Sequence, residues 1–386
     1  MLSCRLLKNP DHNTERPKGQ EGGDLEKEQI LATKFFGGEN MQKKLLALLT
    51  LLLLSSLVLT ACGAPAAEPE EAGLKVCQVT DTGGIDDKSF NATAWKGVED
   101  AAAALGVEGK YLESQQQTDY ERNINAFIEE GCKLIVTVGF LLGDGTAAAA
   151  EANPDQKFSI VDYAYDPAYP NVVGQVFNTQ EAAFLAGYLA AGVTQTGKIG
   201  TFGGIQIPTV TVFMDGYQLG AEYYNEIHGT SVEVLGWDAA SQTGLFTGNF
   251  ESLEDGRNLG ESLMDEGADI IMPVAGPVGL GTAAAVEERG NAYIIGVDAD
   301  WVLTQPQYAP ITLTSVLKNM DVTTYNAINA VINDTFAGGV TIGTLENGGV
   351  GLAPFHELAG MVSAELQAEL DDVATKLIAG ELSANP

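Results

Sequence analysis

From Leu74 onward, short apolar runs alternate with longer stretches in which apolar residues recur every three or four positions. That is the pattern of parallel strands joined by crossover helices. Strands are predicted at 75–80, 110–113, 134–139, 157–161, 172–175, 198–202, 231–235, 270–273, 293–297 and 311–315. Helices are predicted at 91–104, 119–130, 179–191, 209–226, 258–266 and 321–335. The rhythm restarts at Lys198 after a long alanine-rich stretch, as two α/β lobes in series would require. The predicted fold class is therefore α/β and two-lobed, each lobe a parallel sheet flanked by helices. In open α/β sheets, ligands bind at the carboxyl ends of the strands, so the segments that follow the strands are where function is sought.

One apolar run stands outside this rhythm. Residues 45–59 are fifteen in number and mostly leucine, short of the ~20 a membrane-spanning helix needs and suited to the core of an export signal. Lys43 and Lys44 supply the positive flank, and Leu59-Thr60-Ala61-Cys62 closes the run in an arrangement that resembles bacterial lipoprotein signals. The resemblance implies a diacylglyceryl group on Cys62 and cleavage before it. The chain would then be lipid-anchored to the cell membrane on its extracytoplasmic face. Residues 1–40, charged and glycine-containing, have no place before such a signal. Gly37-Gly38-Glu39-Asn40-Met41 can be encoded by a purine-rich stretch like a ribosome-binding site, so translation is expected to start at Met41, with 41–61 as signal peptide. Residues 62–73, CGAPAAEPEEAG, are rich in Pro, Ala and Glu and read as a flexible tether.

Composition narrows the partners. The chain carries 52 Asp and Glu against 20 Lys and Arg, a net charge of −32. This excludes binding to a phosphate backbone, which needs clustered basic residues, and no nucleic-acid partner is expected. Beyond Cys62 the remaining cysteines are Cys77 and Cys132, both in apolar strand-like surroundings. They pair only if neighbouring strands bring them close, and spacing alone does not show that; the expectation is two buried free thiols. The histidines are His12, His228 and His356, in no recognisable motif. No metal and no cofactor is expected. The run GPVGLG from Gly276 to Gly281 has a superficial likeness to a dinucleotide fingerprint but lacks the third glycine in register. It reads as a backbone surface that lets ligand or the opposite lobe approach.

The most informative segment is TDTGGIDDKSFN, residues 80–91. It follows the first strand, turns on two glycines and enters a helix through Asp and Ser residues suited to capping. Asp81 would emerge at the strand's carboxyl end facing the cleft, with Phe90 and Asn91 in the first turn of the helix beside it. Equally, Asp86 or Asp87 is a helix cap and Phe90 a staple into the core; physical reasoning alone leaves both open.

TDTGGIDDKSFNATAWKG at 80–97 resembles the signature of the basic membrane protein family of PnrA-like lipoprotein substrate-binding proteins. The resemblance continues in IVTVGF (135–140), TGKIGTFGGIQIP (196–208), GADIIMPVAGPVGLGTAAA (267–285), IIGVDADW (294–301) and LTSVLKNMD (313–321). It implies a two-lobed fold of the type I periplasmic-binding-protein kind, with 74–178 plus about 306–336 as the N-terminal lobe and about 179–305 plus about 337–386 as the C-terminal lobe. It also implies that Asp81 and Phe90 hold a purine and that Asp298 and Lys318 bind a ribose. The chemistry suits the parts: a carboxylate accepts from base N–H groups, a phenyl face stacks on the heterocycle, and sugar hydroxyls match a carboxylate beside an ammonium. A second aromatic on the far face of the base is implied, with Met272, Phe213 and Trp237 competing for the place. Phe140 and Asp162, at the ends of two strands of the first lobe, are further cleft residues, as is Gly276.

The function implied is that of a tethered, monomeric capture protein of an ABC importer, which closes over a purine nucleoside and delivers it to a permease, and not an enzyme. Two other functions compete. A secreted nucleoside hydrolase would use Asp81, Asp86 and Asp87 as acid, base or metal ligands; a nucleoside-sensing surface receptor would keep the fold and change its purpose.

Overall fold

The computed structural model describes residues 73–386; the signal peptide, Cys62 and the tether up to Ala72 lie outside the described residues. In chain order the elements are β1 (Lys75–Val79), α1 (Phe90–Leu105), β2 (Glu108–Leu112), α2 (Tyr120–Glu130), β3 (Leu134–Val138), α3 (Gly143–Ala152), β4 (Lys157–Val161) and β5 (Val172–Phe177). There follow α4 (Thr179–Val193), β6 (Lys198–Gly203), α5 (Pro208–His228), β7 (Glu233–Leu235), a small β8–β9 pair (Trp237–Asp238 and Thr243–Gly244), α6 (Leu253–Asp265), β10 (Ile270–Val274) and α7 (Gly279–Arg289). The chain ends with β11 (Tyr293–Asp298), α8 (Trp301–Thr304), β12 (Thr312–Lys318), α9 (Met320–Ile332), β13 (Gly339–Gly343), β14 (Val350–Leu352) and α10 (Ala364–Ile378).

These strands form two six-stranded sheets of matching order, β13-β5-β4-β3-β1-β2 and β14-β12-β11-β10-β6-β7. All pairs are parallel except β12–β14. The central strands β3 (LIVTV) and β10 (IIMPV) are buried throughout, as expected where helices cover both faces of a parallel sheet. Apolar residues of α1 and α9 pack on one face of the first sheet and those of α2 and α3 on the other. In the second sheet the corresponding layers are α4, α5 and α10 on one face and α6 and α7 on the other.

The lobe boundaries differ from the expected ones. β12, placed by the sequence in the first lobe, belongs to the second sheet, and β13, placed in the second lobe, is an edge strand of the first. The reason is that the chain changes lobe between a strand and the helix that follows it. β5 lies in the first sheet but α4 packs in the second lobe, and β12 lies in the second sheet but α9 packs against α1 of the first. A third crossing joins β13 to β14.

Cys77 and Cys132 are not free thiols. They form a disulfide with a Cα–Cα distance of 6.0 Å. Cys77 lies on β1, and the turn after α2 sets Cys132 directly ahead of β3, the strand hydrogen-bonded to β1. The crossover helix thus returns the chain beside its own starting strand.

Candidate functional site

The carboxyl ends of both sheets face one cleft, the usual place for a ligand in open α/β sheets. Its walls combine carboxylates, phenyl rings, aliphatic side chains such as Ile207 and Val210, and backbone, with one buried ammonium.

The first lobe contributes the segment after β1. Asp81 Oδ1 accepts from Gly83 N at 2.9 Å and from Asn91 Nδ2 at 2.7 Å, while Asn91 Oδ1 accepts from Asp81 N at 3.3 Å. Asp87 takes the capping role: its carboxylate accepts from the backbone N–H groups of Ser89, Asn91 and Ala92. Burial pushes the Asp81 carboxyl up to about 6 against the hydrogen bonds from Asn91 and Gly83, and the Asp87 carboxyl to about 7. Phe90, the first residue of α1, stands at the cleft wall. The two readings of this segment are therefore both realised, by different residues: Asp87 caps and Phe90 faces the cleft.

Lys318 sits at the end of β12 and is 2 % exposed. Its Nζ donates to Asp162 Oδ2 at 2.5 Å and lies 4.9, 5.4 and 5.8 Å from the ring centroids of Phe90, Phe177 and Phe213. A cation so desolvated needs both a counter-charge and polarizable faces. Asp162 directly follows β4 and Asp298 closes β11, the equivalent strand of the second sheet, and both adopt the same positive φ, +68° and +69°. Burial raises the Asp162 carboxyl while Lys318 pulls it back. Asp298 is pushed up to about 6 by burial, with Lys318 again opposing.

Of the residues anticipated from the sequence, Asp81, Phe90, Asn91, Phe140, Asp162, Gly276, Asp298 and Lys318 all line this cleft. Met272 does not. It points from β10 into the apolar layer beneath α4 and α5 and is fully buried there; two residues further along the same face, Val274 reaches the cleft. Trp237 is likewise a core residue, its Nε1 donating to Asp215 Oδ1 at 3.0 Å. Phe213 lines the cleft. The GPVGLG run also differs from expectation: of its glycines only Gly276, with φ +54°, lies at the cleft, beside Pro277. Gly281 lies inside α7, where a Cβ would fall 1.8 Å from Leu253 O of the neighbouring α6.

Sequence reasoning missed Phe250, which lines the cleft from the second lobe. Asn249 holds the loop beneath it, accepting from the N–H groups of Glu251 and Ser252 and donating to Asp255. Gly204 leaves the room its ring fills, since a Cβ there would lie 2.3 Å from it. The available signal was an aromatic two residues ahead of the Ser252 cap of α6.

β10 pairs with β11 only at Ile270 and Ile271, and the ladder stops ahead of Pro273, which has no N–H to donate. Trp301 packs against Pro273 through Gly279 and donates its Nε1 to Val297 O at 3.1 Å. The strand ends thus part where Gly276 and Asp298 face the cleft.

A family model described as ABC transporter substrate-binding protein PnrA-like matches residues 74–386. The chain belongs to this family. Among its relatives, Basic membrane protein A of Borreliella burgdorferi is 34 % identical over 340 residues, covering 87 % of this chain and 94 % of that one. The ABC transporter nucleoside-binding protein BmpA of Lactococcus lactis is 28 % identical, covering 87 % and 99 %. The crystal structure of an ABC transporter solute-binding protein from Aeropyrum pernix superposes with a TM-score of 0.73 at 30 % identity, covering 80 % of this chain and 92 % of that one. The fold of this PnrA-like protein is accordingly the two-lobed, type I periplasmic-binding-protein fold.

Proposed function

We propose that this chain captures a purine nucleoside in the cleft and passes it to an ABC permease while tethered to the outer face of the cell membrane through a lipidated Cys62. The observation that carries the reading is the division of the cleft into two chemistries. At one end Asp162, Lys318 and Asp298 form a buried ion-pair cluster suited to the paired hydroxyls of a sugar. Next to it Asp81 presents a carboxylate oxygen beside Phe90, whose ring borders both Asp81 and Lys318, suited to the N–H edge and the face of a base.

Phe250 is the second stacking residue in this reading. Phe213 also lines the cleft, 5.8 Å from the Lys318 ammonium and on the same lobe as Phe250. Phe250 reaches the cleft from the lobe opposite Phe90. Phe90 from one lobe and Phe250 from the other then close on the two faces of the base, which couples binding to lobe closure.

Binding without hydrolysis fits the hydrogen bonding better than catalysis does. Both oxygens of Asp87 are engaged by backbone N–H groups, and Asn91 bridges Asp87 to Asp81, so Asp87 is occupied in holding the loop. Among the described residues no helix is long and apolar enough to cross a membrane, in keeping with attachment by lipid. The test is isothermal titration of the chain from Gly73 onward, unfolded and refolded to strip carried-over ligand, against nucleosides, free bases and sugars. Tight binding with intact nucleoside recovered supports the proposal; release of free base favours a hydrolase, and silence across the panel removes the nucleoside reading.

A further inference from the structure

Ser89 directly precedes α1, where a serine ordinarily caps its own helix. Here its side chain makes no bond to that helix. Asp87 supplies the cap instead, and the Ser89 hydroxyl turns across the cleft. Its Oγ lies 3.0 Å from Asp298 Oδ2 and 3.0 Å from Val297 O, both on β11 of the opposite lobe, and the residue is 1 % exposed. The contact differs in kind from the Lys318–Asp162 pair. Lys318 immediately precedes the crossing from β12 to α9, where the lobes are covalently joined. Ser89 and Asp298 are separated by 209 positions in sequence, and neither adjoins a crossing. Opening of the cleft must break their bond.

We propose that Ser89 is the closure latch of this protein, a positioning residue that grips the β11 terminus only when the lobes are shut and thereby sets how long a ligand is held. Asp298 then has two tasks, facing the ligand and receiving the latch, so that a ligand which orders this carboxylate also prepares the lobes to lock. The effect on ligand residence rests on the nucleoside reading of the cleft; the latch itself does not.

The hydroxyl donates to a carboxylate, and bonds to charged groups contribute about 1.5–3 kcal/mol. In the full chain, Ser89→Ala should therefore release adenosine, guanosine or inosine, whichever the unaltered chain binds, about tenfold or more faster by stopped flow. The association rate should stay within about twofold, since latching follows encounter. Nitroxide labels at the exposed positions of Glu129→Cys and Glu287→Cys, one on each lobe, read closure directly by pulsed electron resonance. Ser89→Ala should deplete the short-distance population, while the melting temperature of the open, unliganded chain holds. Should Ser89→Ala fail to fold, Ser89→Thr and Ser89→Val, alike in shape and differing in the hydroxyl, decide the matter, with faster release from the Val variant. Unaltered release and an unaltered distance distribution overturn the latch, as does an equal loss of melting temperature with and without ligand. A chain that binds none of the three nucleosides overturns the reading of the cleft, and the distance distribution still judges the latch.

Discussion

Breaking the Cys77–Cys132 bond should destabilise the first lobe by about 4 kcal/mol. The bond closes a loop of 55 residues, and the chain-entropy relation for that length gives about 14 cal/mol/K, or about 4 kcal/mol at 25 °C. Reduction leaves both sulfurs in place and buried, at 0 % and 2 % exposure, so no cavity adds to the cost. Urea titration with and without dithiothreitol is the assay, because unfolding exposes the bond to the reductant. With a slope of about 3 kcal/mol per molar for a unit of this size, the midpoint should fall by a little over 1 M. Neither cysteine lines the cleft, so nucleoside affinity of the folded, reduced chain should be unchanged. A midpoint that moves by less than about 0.3 M, or two free thiols titrated in the unfolded but unreduced chain, would refute the reasoning.

Phe250→Ala should weaken nucleoside binding by about tenfold or more, since stacking a base on a ring contributes about 1–3 kcal/mol; calorimetry showing the affinity retained would return the second stacking place to Phe213. Asp162→Asn strands the Lys318 ammonium, and breaking a buried pair costs about 3–5 kcal/mol. Three ring faces and Asp298 still offset the charge, so urea unfolding should show a loss near the lower end of that range, with part recovered when Lys318→Met is added; a fully stable single variant would contradict the buried-pair account. Asp81 and Asp298 hold their protons up to about 6, against an ordinary 3.8. Their protonation thus favours the unliganded fold fully below pH 3.8, and that contribution is lost as pH rises through about 6. Unliganded urea midpoints should fall from pH 5 to pH 7, and an Asp81→Asn, Asp298→Asn pair should flatten the trend; an unchanged slope in the pair would show that these carboxyls are not its source.

The strand-helix alternation was legible because parallel strands buried on both faces must be apolar throughout, as in LIVTV of β3 and IIMPV of β10. Helices α3 and α7 were missed because they open on glycine runs, Gly143 and Gly279 to Gly281, which read locally as turns. β13 is an edge strand with Val340 and Ile342 exposed, so no buried pattern announced it. The lobe boundary at β12–α9 escaped for a different reason: LKNMD carries no punctuation, and only the three-dimensional path shows that a strand and the next helix serve different lobes. In the cleft, residues at strand ends such as Asp81, Asp162 and Asp298 were readable by position. Met272 was misplaced because the two faces of a wholly apolar strand cannot be told apart without its partners. Ser89 was taken for part of a capping segment, and nothing local reveals that Asp87 had relieved it.

The three crossings of the chain between lobes bear on the order in which the protein is able to assemble. A chain that emerges amino end first delivers β1 to β5 early, but the first sheet lacks its edge strand until Gly343 has emerged and lacks α9 on one face until Ile332 has emerged. The second sheet waits for Leu352 and its covering layer for Ile378. Neither lobe is a contiguous stretch that completes itself while the other is still inside, so both finish together, close to the arrival of the carboxyl end. Contacts of such long sequence separation are slow to form, and a nascent form with the β5 edge bare is the species a chaperone would meet. Fusing or circularly permuting the chain at 178 or 319 would therefore disturb the assembly route of both lobes at once, whereas a cut at the exposed turn around Gly229 would leave every crossing intact.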